Sequence, residues 1–571
     1  MIETKADYSG RLLSLNMSVC GGNMIKDKKG ISLFTGMLVW ACLELLAFNC
    51  HGKWSVIASM VWRIVGTAFL IWLLLREARF FFTDCKSKRV LITIAFVIVL
   101  LPYILTIGNL KYADVNPDAA QQIMAGLKAL SCKDLGYTDT AFIGYPCRQY
   151  VLVAIPSLLF GNNIISLHLG FALPYLFGII CFYRAIREKL ENNKRSEALA
   201  IVPICALAAF PFVPEYYMNF EQAIMPISLC MIGVALFLWT EKTEKPLRFI
   251  FLAWTGGMMS VSYTPALASA GLLCAGLLLR IILLVKDRGK AAIQAIVLNG
   301  GCFLYIVAAL VATFIGGRGD RITKHRNFSD NPLTYLQELV ERTFVGEGTA
   351  FWGVFGGVTI LFLVLALCGL LRIWDALCAV WILAVIFSAD WLIGYADYER
   401  IWNMQRQMVV VPVLVIVLFN LMLRLLKERP IKKRGAAVAV LVLYMIGLCN
   451  FNTEHRSFAY FRYIKPMKYV VNWINETELD AESRVLFLTK NGLEKNLKDY
   501  QYFYPEGMKI EVVSPEDYTG RKKYDYIFSE EPISEDMAEG YLEEERVCEN
   551  KRYQEIIVIY RYSNNSTEES K

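Results

Sequence analysis

VLITIAFVIVLLPYILTIGNLKYADVNPDAAQQIMAG (Val90–Gly126) joins two unlike chemistries in one stretch. From Val90 to Ile107 there is no charged residue, the pattern of a helix that crosses a bilayer in about 20 residues. Asp114 and Asp118 follow directly, so two carboxylates stand at the membrane surface. Charge so close to lipid is costly and tends to be kept for function. A carboxylate in that position suits acid–base chemistry on a lipid-borne substrate. Asp118 also opens DAAQQIMAGLKAL, which reads as a helix with Asp118 at its N-cap, and capping alone would account for it. Asp114 has no such structural duty and lies beside Tyr112.

Outward from this stretch the same apolar pattern repeats. The 571-residue chain is 56% hydrophobic and 19% charged, with mean hydropathy +0.41, which indicates a polytopic membrane protein rather than a soluble enzyme. Apolar runs long enough to span fall at about 31–50, 55–75, 89–107, 163–183, 197–213, 222–240, 247–263, 265–285, 291–315, 351–371, 374–389, 408–426 and 435–451. They are continuously apolar, which predicts helices and excludes a barrel of alternating strands. With a cytoplasmic N-terminus, the inner loops carry more than twice the Lys and Arg of the outer loops, as the positive-inside rule requires. The net charge of +7 therefore reflects topology and gives no reason to expect a nucleic-acid partner. Three long outer loops result, 108–150, 316–350 and 390–407, and an odd number of spans sends everything after Asn450 outside.

YVLVAIPSLLFG (Tyr150–Gly161) is too short to span and contains Pro156. It reads either as a helix lying in the outer interface or as the bent half of a longer helix. Most of the 15 cysteines lie within spans, where a thiol is a small apolar group. Cys132 and Cys147 share the first outer loop, where a disulfide would brace it in an oxidising compartment. No Cys/His spacing suggests zinc. The polar first 30 residues lack a cleavable signal pattern, so the first span is expected to act as an uncleaved anchor. Beyond residue 451 the composition becomes that of a soluble unit. A helix at Met467–Glu478 precedes strand-like runs at Arg484–Lys490, Lys509–Ser514, Tyr524–Glu530 and Glu555–Tyr562, which predicts a small α/β domain. The Tyr-rich run Asp499–Pro505 offers either a sugar-stacking surface or an ordinary amphipathic one. The final residues, 563–571, have a disordered composition.

Further candidate groups lie on the same outer face. The short loop Pro214–Ala223 brings Glu215 and Glu221, which a solvated hairpin would equally explain. In GGRGDRITKHRNFSDNP (Gly316–Pro332), Arg318, Arg321, Lys324, His325 and Arg326 crowd a membrane exit against the topological charge bias. Guanidinium groups bind phosphate bidentately and Lys adds a point charge, so a lipid phosphate is a natural ligand, with general attraction to anionic lipids as the plainer account. The third loop adds Arg400 and Arg406 beside Tyr398 and Trp402.

This order of parts resembles the class C multispanning glycosyltransferases that use polyprenyl-phosphate-linked sugars. The resemblance is carried by the acidic loop ADVNPDAAQQIMAG, by GYPCRQYVLVAIPSLLFGNNIISLHLG with its short helix and following span, by the acidic loop at Glu221, and by the basic, aromatic loop before MVVVPVLVIVL. It covers residues 89–450. Many members have adjacent Asp-Glu in the first loop, whereas here Asp118 is followed by Ala119, leaving Asp118 and Asp114 both open as the base. The apolar runs, the charge bias and the composition shift together predict a cytoplasmic tail (1–30), two spans added to the family core (31–88), a transmembrane domain (89–451), an extracytoplasmic α/β domain (452–562) and a tail (563–571), in a plasma-membrane protein. The resemblance implies transfer of a sugar from a polyprenyl-phosphate donor to a glycan, lipid or protein acceptor in building or modifying the cell envelope, with inversion. Asp118 or Asp114 would act as base. Arg318, Arg321, Lys324, Arg326, Arg400 and Arg406 would hold the phosphate. Glu221 would orient the acceptor or help bind a divalent cation. An O-antigen-type polymerase or ligase, a lipid-linked oligosaccharide transporter and a silent scaffold are the competing classes.

Overall fold

The computed structural model describes residues 151–190, 199–208, 224–241, 246–261, 264–286, 290–313, 372–393, 408–428, 466–490, 503–505, 507–520, 522–550 and 555–563, with a few isolated helical positions, among them 122–124 and 126–127. Apolar helices come first, in the order α1 Val151–Phe160, α2 Ile164–Lys189, α3 Ile201–Ala208, α4 Ile224–Thr240, α5 Pro246–Val261, α6 Thr264–Lys286, α7 Lys290–Thr313, α8 Ile373–Ile393 and α9 Val411–Glu428. A 3-10 turn, Met408–Val410, leads into α9. Among the described residues, Ile165–Lys189 and Pro265–Val285 are long and apolar enough to cross a membrane, and four more apolar helices are shorter. Each of α2 to α9 lies within or close to a predicted span. The runs at 351–371 and 435–451, like nearly all of the three before residue 108, lie outside the described residues.

Helix α4 is buried on nearly every side, from Ile224 to Thr240, as befits a helix apolar all round. It packs along α2, and Gly178 makes the approach possible: a Cβ there would stand 2.9 Å from the Met231 side chain and 3.2 Å from the Ser228 carbonyl. The outer helices instead leave apolar residues exposed, as with Leu278, Ile282 and Val285 of α6, which is what a lipid-facing surface requires.

The segment Val151–Phe160 is a helix of its own, ended by Gly161 with φ +79°, a conformation that favours glycine. Asn163 then caps α2, its side-chain oxygen accepting from the Ser166 amide at 2.9 Å, while its side-chain nitrogen donates to the Phe160 carbonyl at 2.9 Å. This turn folds α1 back along α2. A Cβ on Gly170 would sit only 2.2 Å from the Val153 carbonyl oxygen, so the two backbones touch well away from the turn. The fold-back rules out α1 as the bent half of one longer helix with α2.

The polar ends of several helices gather together. Arg248 of α5 donates to Glu188 of α2 at 3.2 Å, and Lys189 pairs with Glu241 just past α4 at 3.8 Å. Arg280 of α6 is 8% exposed and donates to the Phe237 carbonyl and the Thr240 hydroxyl of α4, both at 2.9 Å, and to the Asn299 side-chain oxygen of α7 at 3.3 Å. Arg424 near the end of α9 grips Asp375 at the start of α8 with two bonds of 2.6 and 2.9 Å. Asp375 also accepts from the Arg372 amide at 2.9 Å, closing the first turn of α8. These contacts define a charged end of the bundle and, with the helix directions, an opposite end where α1 meets α2 and where α4 and α9 begin.

The C-terminal unit begins with α10, Pro466–Glu476, and has a five-stranded sheet. Its strands are β1 Arg484–Leu488, β2 Lys509–Val513, β3 Tyr526–Ser529, β4 Tyr541–Asn550 and β5 Glu555–Tyr562, in the order β2-β1-β3-β5-β4. β1 runs parallel to β2 and β3, while β5 pairs antiparallel with β3 and β4. Four strands coincide with the apolar runs of the sequence. β4 (YLEEERVCEN) does not, because an edge strand is rich in charge and shows no apolar alternation.

Two substitutions separate packing from polarity. Gly170→Val should destabilise the protein by about 1–3 kcal/mol through overpacking, whereas Gly271→Ala, with nothing within 4 Å of the added carbon, should not; thermal unfolding in detergent distinguishes them. By the same assay Arg424→Ala should cost about 3–5 kcal/mol by stranding the buried Asp375 carboxylate. Replacing the pair together, Asp375→Leu with Arg424→Met, should recover much of that loss.

Candidate functional site

The predicted site residues Asp114, Asp118, Glu221, Arg318, Arg321, Lys324, Arg326, Arg400 and Arg406 all lie outside the described residues, as do Cys132 and Cys147. What the structure gives is the set of anchors from which their loops leave. Residues 122–124 and 126–127 are helical, as DAAQQIMAGLKAL predicted, with Gln122 and Ile123 buried. Gln122 is four residues after Asp118, which limits their separation to about 14 Å. Ile224, the first residue of α4, follows Glu221 by three residues, within about 10 Å. Met408 follows Arg406 by two residues, within about 7 Å. Thr313 ends α7 five residues before Arg318, within about 17 Å.

The anchors at Ile224, Met408 and the end of α7 lie toward one end of the bundle. The 3-10 turn at Met408–Val410 is buried and packs against α4 and α6. α4 and α9 run in the same direction, so Ile224 and Met408 stand at the same end of the bundle. α7 packs on α5 and α6 and runs away from the charged end, where its Asn299 meets Arg280. Ile123, Leu167, Ile224 and Met408 belong to one continuous apolar core.

Polar side chains are buried at this end as well. Ser228 and Ser260 are satisfied within their own helices, donating to the Ile224 carbonyl at 2.6 Å and the Gly256 carbonyl at 2.8 Å. Gln122, Ser157, Ser166 and His168 are also buried, on the first-loop helix, α1 and α2. His168 is a functional candidate that reasoning from the loops passes over. Its sequence signal is an ionisable residue within an apolar run, a position that membrane proteins seldom use without reason. Among the described residues no group of three His, Cys, Asp or Glu is placed to hold a metal ion.

The C-terminal sheet offers a second location, at the carboxyl ends of its parallel strands, where open α/β sheets bind ligands. That edge is occupied by its own side chains. Glu530, after β3, accepts from the Thr489 hydroxyl at 2.9 Å and the Lys490 amide at 3.1 Å, and Lys490 donates to Glu531 at 2.8 Å. In the Tyr-rich run, Phe503 and Tyr504 are buried, and Asn475 of α10 donates to the Phe503 carbonyl. These two aromatics build the core and present no stacking face. Burial pushes the Tyr504 hydroxyl up to about 12, so it stays neutral.

The overall arrangement is similar to that of ArnT from Cupriavidus metallidurans. The structure of ArnT in the apo state gives a TM-score of 0.44 at 11% identity, covering 83% of this chain and 98% of that one. The structure of ArnT bound to undecaprenyl phosphate gives the same values. No protein-family model matches the chain, and no curated protein does.

One pH dependence follows from the sheet. The hydrogen bond from Lys522 holds the Glu511 carboxyl below its usual range. At Asp525 burial acts upward, but the side-chain and backbone hydrogen bonds from Arg484 outweigh it and the carboxyl is held low. Stability from a depressed carboxyl is present above its unfolded value and lost as pH falls through the folded one. Glu511→Gln with Asp525→Asn should therefore flatten the loss of stability of the C-terminal unit below about pH 4. Their cost at neutral pH should be within about 1 kcal/mol each, because both pairs are partly exposed; unfolding followed at a series of pH values is the check.

Proposed function

We propose that this protein is a membrane glycosyltransferase that moves a sugar from a polyprenyl-phosphate donor to an acceptor at the outer face of the membrane. One observation carries the reading: Ile224 and Met408, which follow Glu221 and Arg406, stand at the same end of the helix bundle, away from the charged end, and α7 runs toward that end before Arg318. Loops leaving neighbouring anchors, each candidate within a few residues of its anchor, can supply a base and a phosphate clamp to one site.

In this reading the charged end faces the cytoplasm, the three long loops and the C-terminal unit face outward, and the protein resides in the plasma membrane. The acceptor hydroxyl attacks the anomeric carbon from the face opposite the phosphate. As the new C–O bond forms, its proton passes to Asp118, with Asp114 as the alternative base, a contribution of about 10²–10⁴ in rate. The bond from the anomeric carbon to the phosphate oxygen breaks with its electron pair, leaving polyprenyl phosphate. Arg318, Arg321, Lys324, Arg326, Arg400 and Arg406 balance the charge that develops there. Inversion at the anomeric carbon follows from the single displacement. Glu221 orients the acceptor or helps hold a divalent cation. Among the described residues the buried Arg280 and Asp375 and the half-buried Arg424 belong to the charged end, and none of the three marks a relay through the membrane midplane of the kind transporters use.

Membranes containing the full-length protein should transfer sugar from a polyprenyl-phosphate donor, read by mass spectrometry of the lipid and product. Asp118→Asn should lower the rate by about 10²–10⁴, Asp114→Asn by less if it is not the base, and the double substitution should abolish transfer. Full activity in all three would remove the mechanism. Arg318→Ala and Arg400→Ala should weaken donor binding.

A further inference from the structure

Five described residues of the first-loop helix fix which of its faces meets the protein. Gln122 is 4% and Ile123 0% exposed, Gly126 is buried with them, and Met124 and Leu127 are half-buried. At about 100° of rotation per residue, the three buried positions fill an arc of about 100°, with Gln122 at one margin and Ile123 at the other. Leu127 falls just outside the Ile123 margin and Met124 nearly opposite the arc, which agrees with their partial exposure. Ile123 belongs to the same apolar core as Leu167, Ile224 and Met408, so this face joins the core.

Glutamine is an unexpected residue on such a face. A buried carboxamide is costly unless it is hydrogen-bonded, and an apolar residue of the same length would fill the space without that demand. Its place along the helix supplies a reason. The sequence reads as helix from Asp118 onward, and Asp118 is four residues before Gln122. Residues so spaced have Cβ atoms about 6 Å apart on one side of a helix, and Gln–Asp pairs at this separation hydrogen-bond. The helical period puts Asp118 about 40° from Gln122, on the side away from Ile123. There the buried face gives way to an open margin, where a base can touch both its support and a substrate. Asp114 is out of this register: it precedes Pro117, and the residue before a proline is turned away from helical backbone.

We propose that Gln122 is a positioning residue for the transfer: its side-chain amide donates to the Asp118 carboxylate, holds it ionised and aimed, and so makes Asp118 rather than Asp114 the base. This rests on the proposed function and adds to it the choice between the two carboxylates. Helix capping by Asp118 is compatible, since a carboxylate has two oxygens and about four lone pairs. One oxygen accepts from a backbone amide of the first turn, while the other accepts from Gln122 and keeps a lone pair for the acceptor's proton. A hydrogen bond to the charged form of a carboxyl favours that form, so its loss leaves the base protonated to a higher pH.

The test is a double-mutant cycle on full-length protein in membranes, with transfer from a polyprenyl-phosphate sugar read by mass spectrometry as a function of pH. Gln122→Met, close in size and without the amide, should lower kcat about tenfold and leave the donor KM little changed. It should also move the acid limb of the pH profile up by about one unit, as expected for the loss of one hydrogen bond to a charged group. Made in the Asp118→Asn protein, the same substitution should have little further effect on residual transfer; made in the Asp114→Asn protein, it should keep its full effect. Wild-type rate and pH profile in Gln122→Met would overturn the proposal, as would a loss that persists unchanged in Asp118→Asn or vanishes in Asp114→Asn. A merely structural glutamine would lower the amount of folded protein and leave the pH profile in place, which also counts against it. Should Gln122→Met fail to fold, Gln122→Asn, which keeps a carboxamide but shortens its reach by a methylene, must show the same rise of the acid limb. No transfer by the wild type at all would instead refute the proposed function, and this inference with it.

Discussion

Arg280 places a guanidinium on the last carbonyls of α4, inside a bundle where each unmet backbone group is costly. The C-terminal carbonyls of a helix have no partner within it, and α4 is too deeply enclosed for water to serve them all. Arg280 supplies bonds to the Phe237 carbonyl and the Thr240 hydroxyl, and its charge suits the negative end of the helix dipole. The same side chain reaches Asn299, so three helices, α4, α6 and α7, are fixed at one level. Arg248 and Glu188 tie α2 and α5 to that level, and Arg424 with Asp375 ties α8 to α9. With the charged ends held together, the directions of the helices determine which loops emerge at the other end.

That opposite end is where the proposed chemistry belongs. Close packing of α1 on α2, made possible by Gly170 and the turn at Gly161–Asn163, sets a short helix beside the point where the first long loop returns to the bundle. The buried 3-10 turn at Met408–Val410, directly after the third loop in sequence, packs against α4 and α6. A rigid frame of this kind suits catalysis by groups on loops, because the scaffold limits where each loop can carry its side chains. The charged end has a different task, holding the bundle together.

Much of the frame was legible in the sequence because lipid imposes a simple rule: long apolar runs become helices, and charge collects at their ends. The runs at 222–240, 265–285 and 291–315 match α4, α6 and α7 to within two residues at each end. α2 continues to Lys189, beyond the apolar limit at Tyr183, because Arg184, Arg187 and Lys189 can extend a helix out of the apolar zone. Strands β1, β2, β3 and β5 were legible from their β-branched and aromatic residues, while β4 was hidden by its glutamates. The fold-back of α1 could not be read, since it depends on a Cβ missing from Gly170 and on a contact with Val153 seventeen residues earlier. Nor could the buried role of Phe503 and Tyr504, because a run of aromatics looks the same whether it faces solvent or core. The candidate site was legible as residue types in loops; the described residues add its anchors and leave Asp114, Asp118 and the loop arginines as proposals.

The central claim is that three loops distant in sequence form one site. Its most direct measurement places the photoreactive amino acid p-benzoylphenylalanine at Ala119, beside the proposed base, in full-length protein in membranes. After irradiation, cross-linked peptides are mapped by mass spectrometry. The account predicts cross-links from Ala119 to both 316–350 and 390–407. Cross-links confined to the first loop itself or to lipid, with neither of the other loops captured, would contradict it.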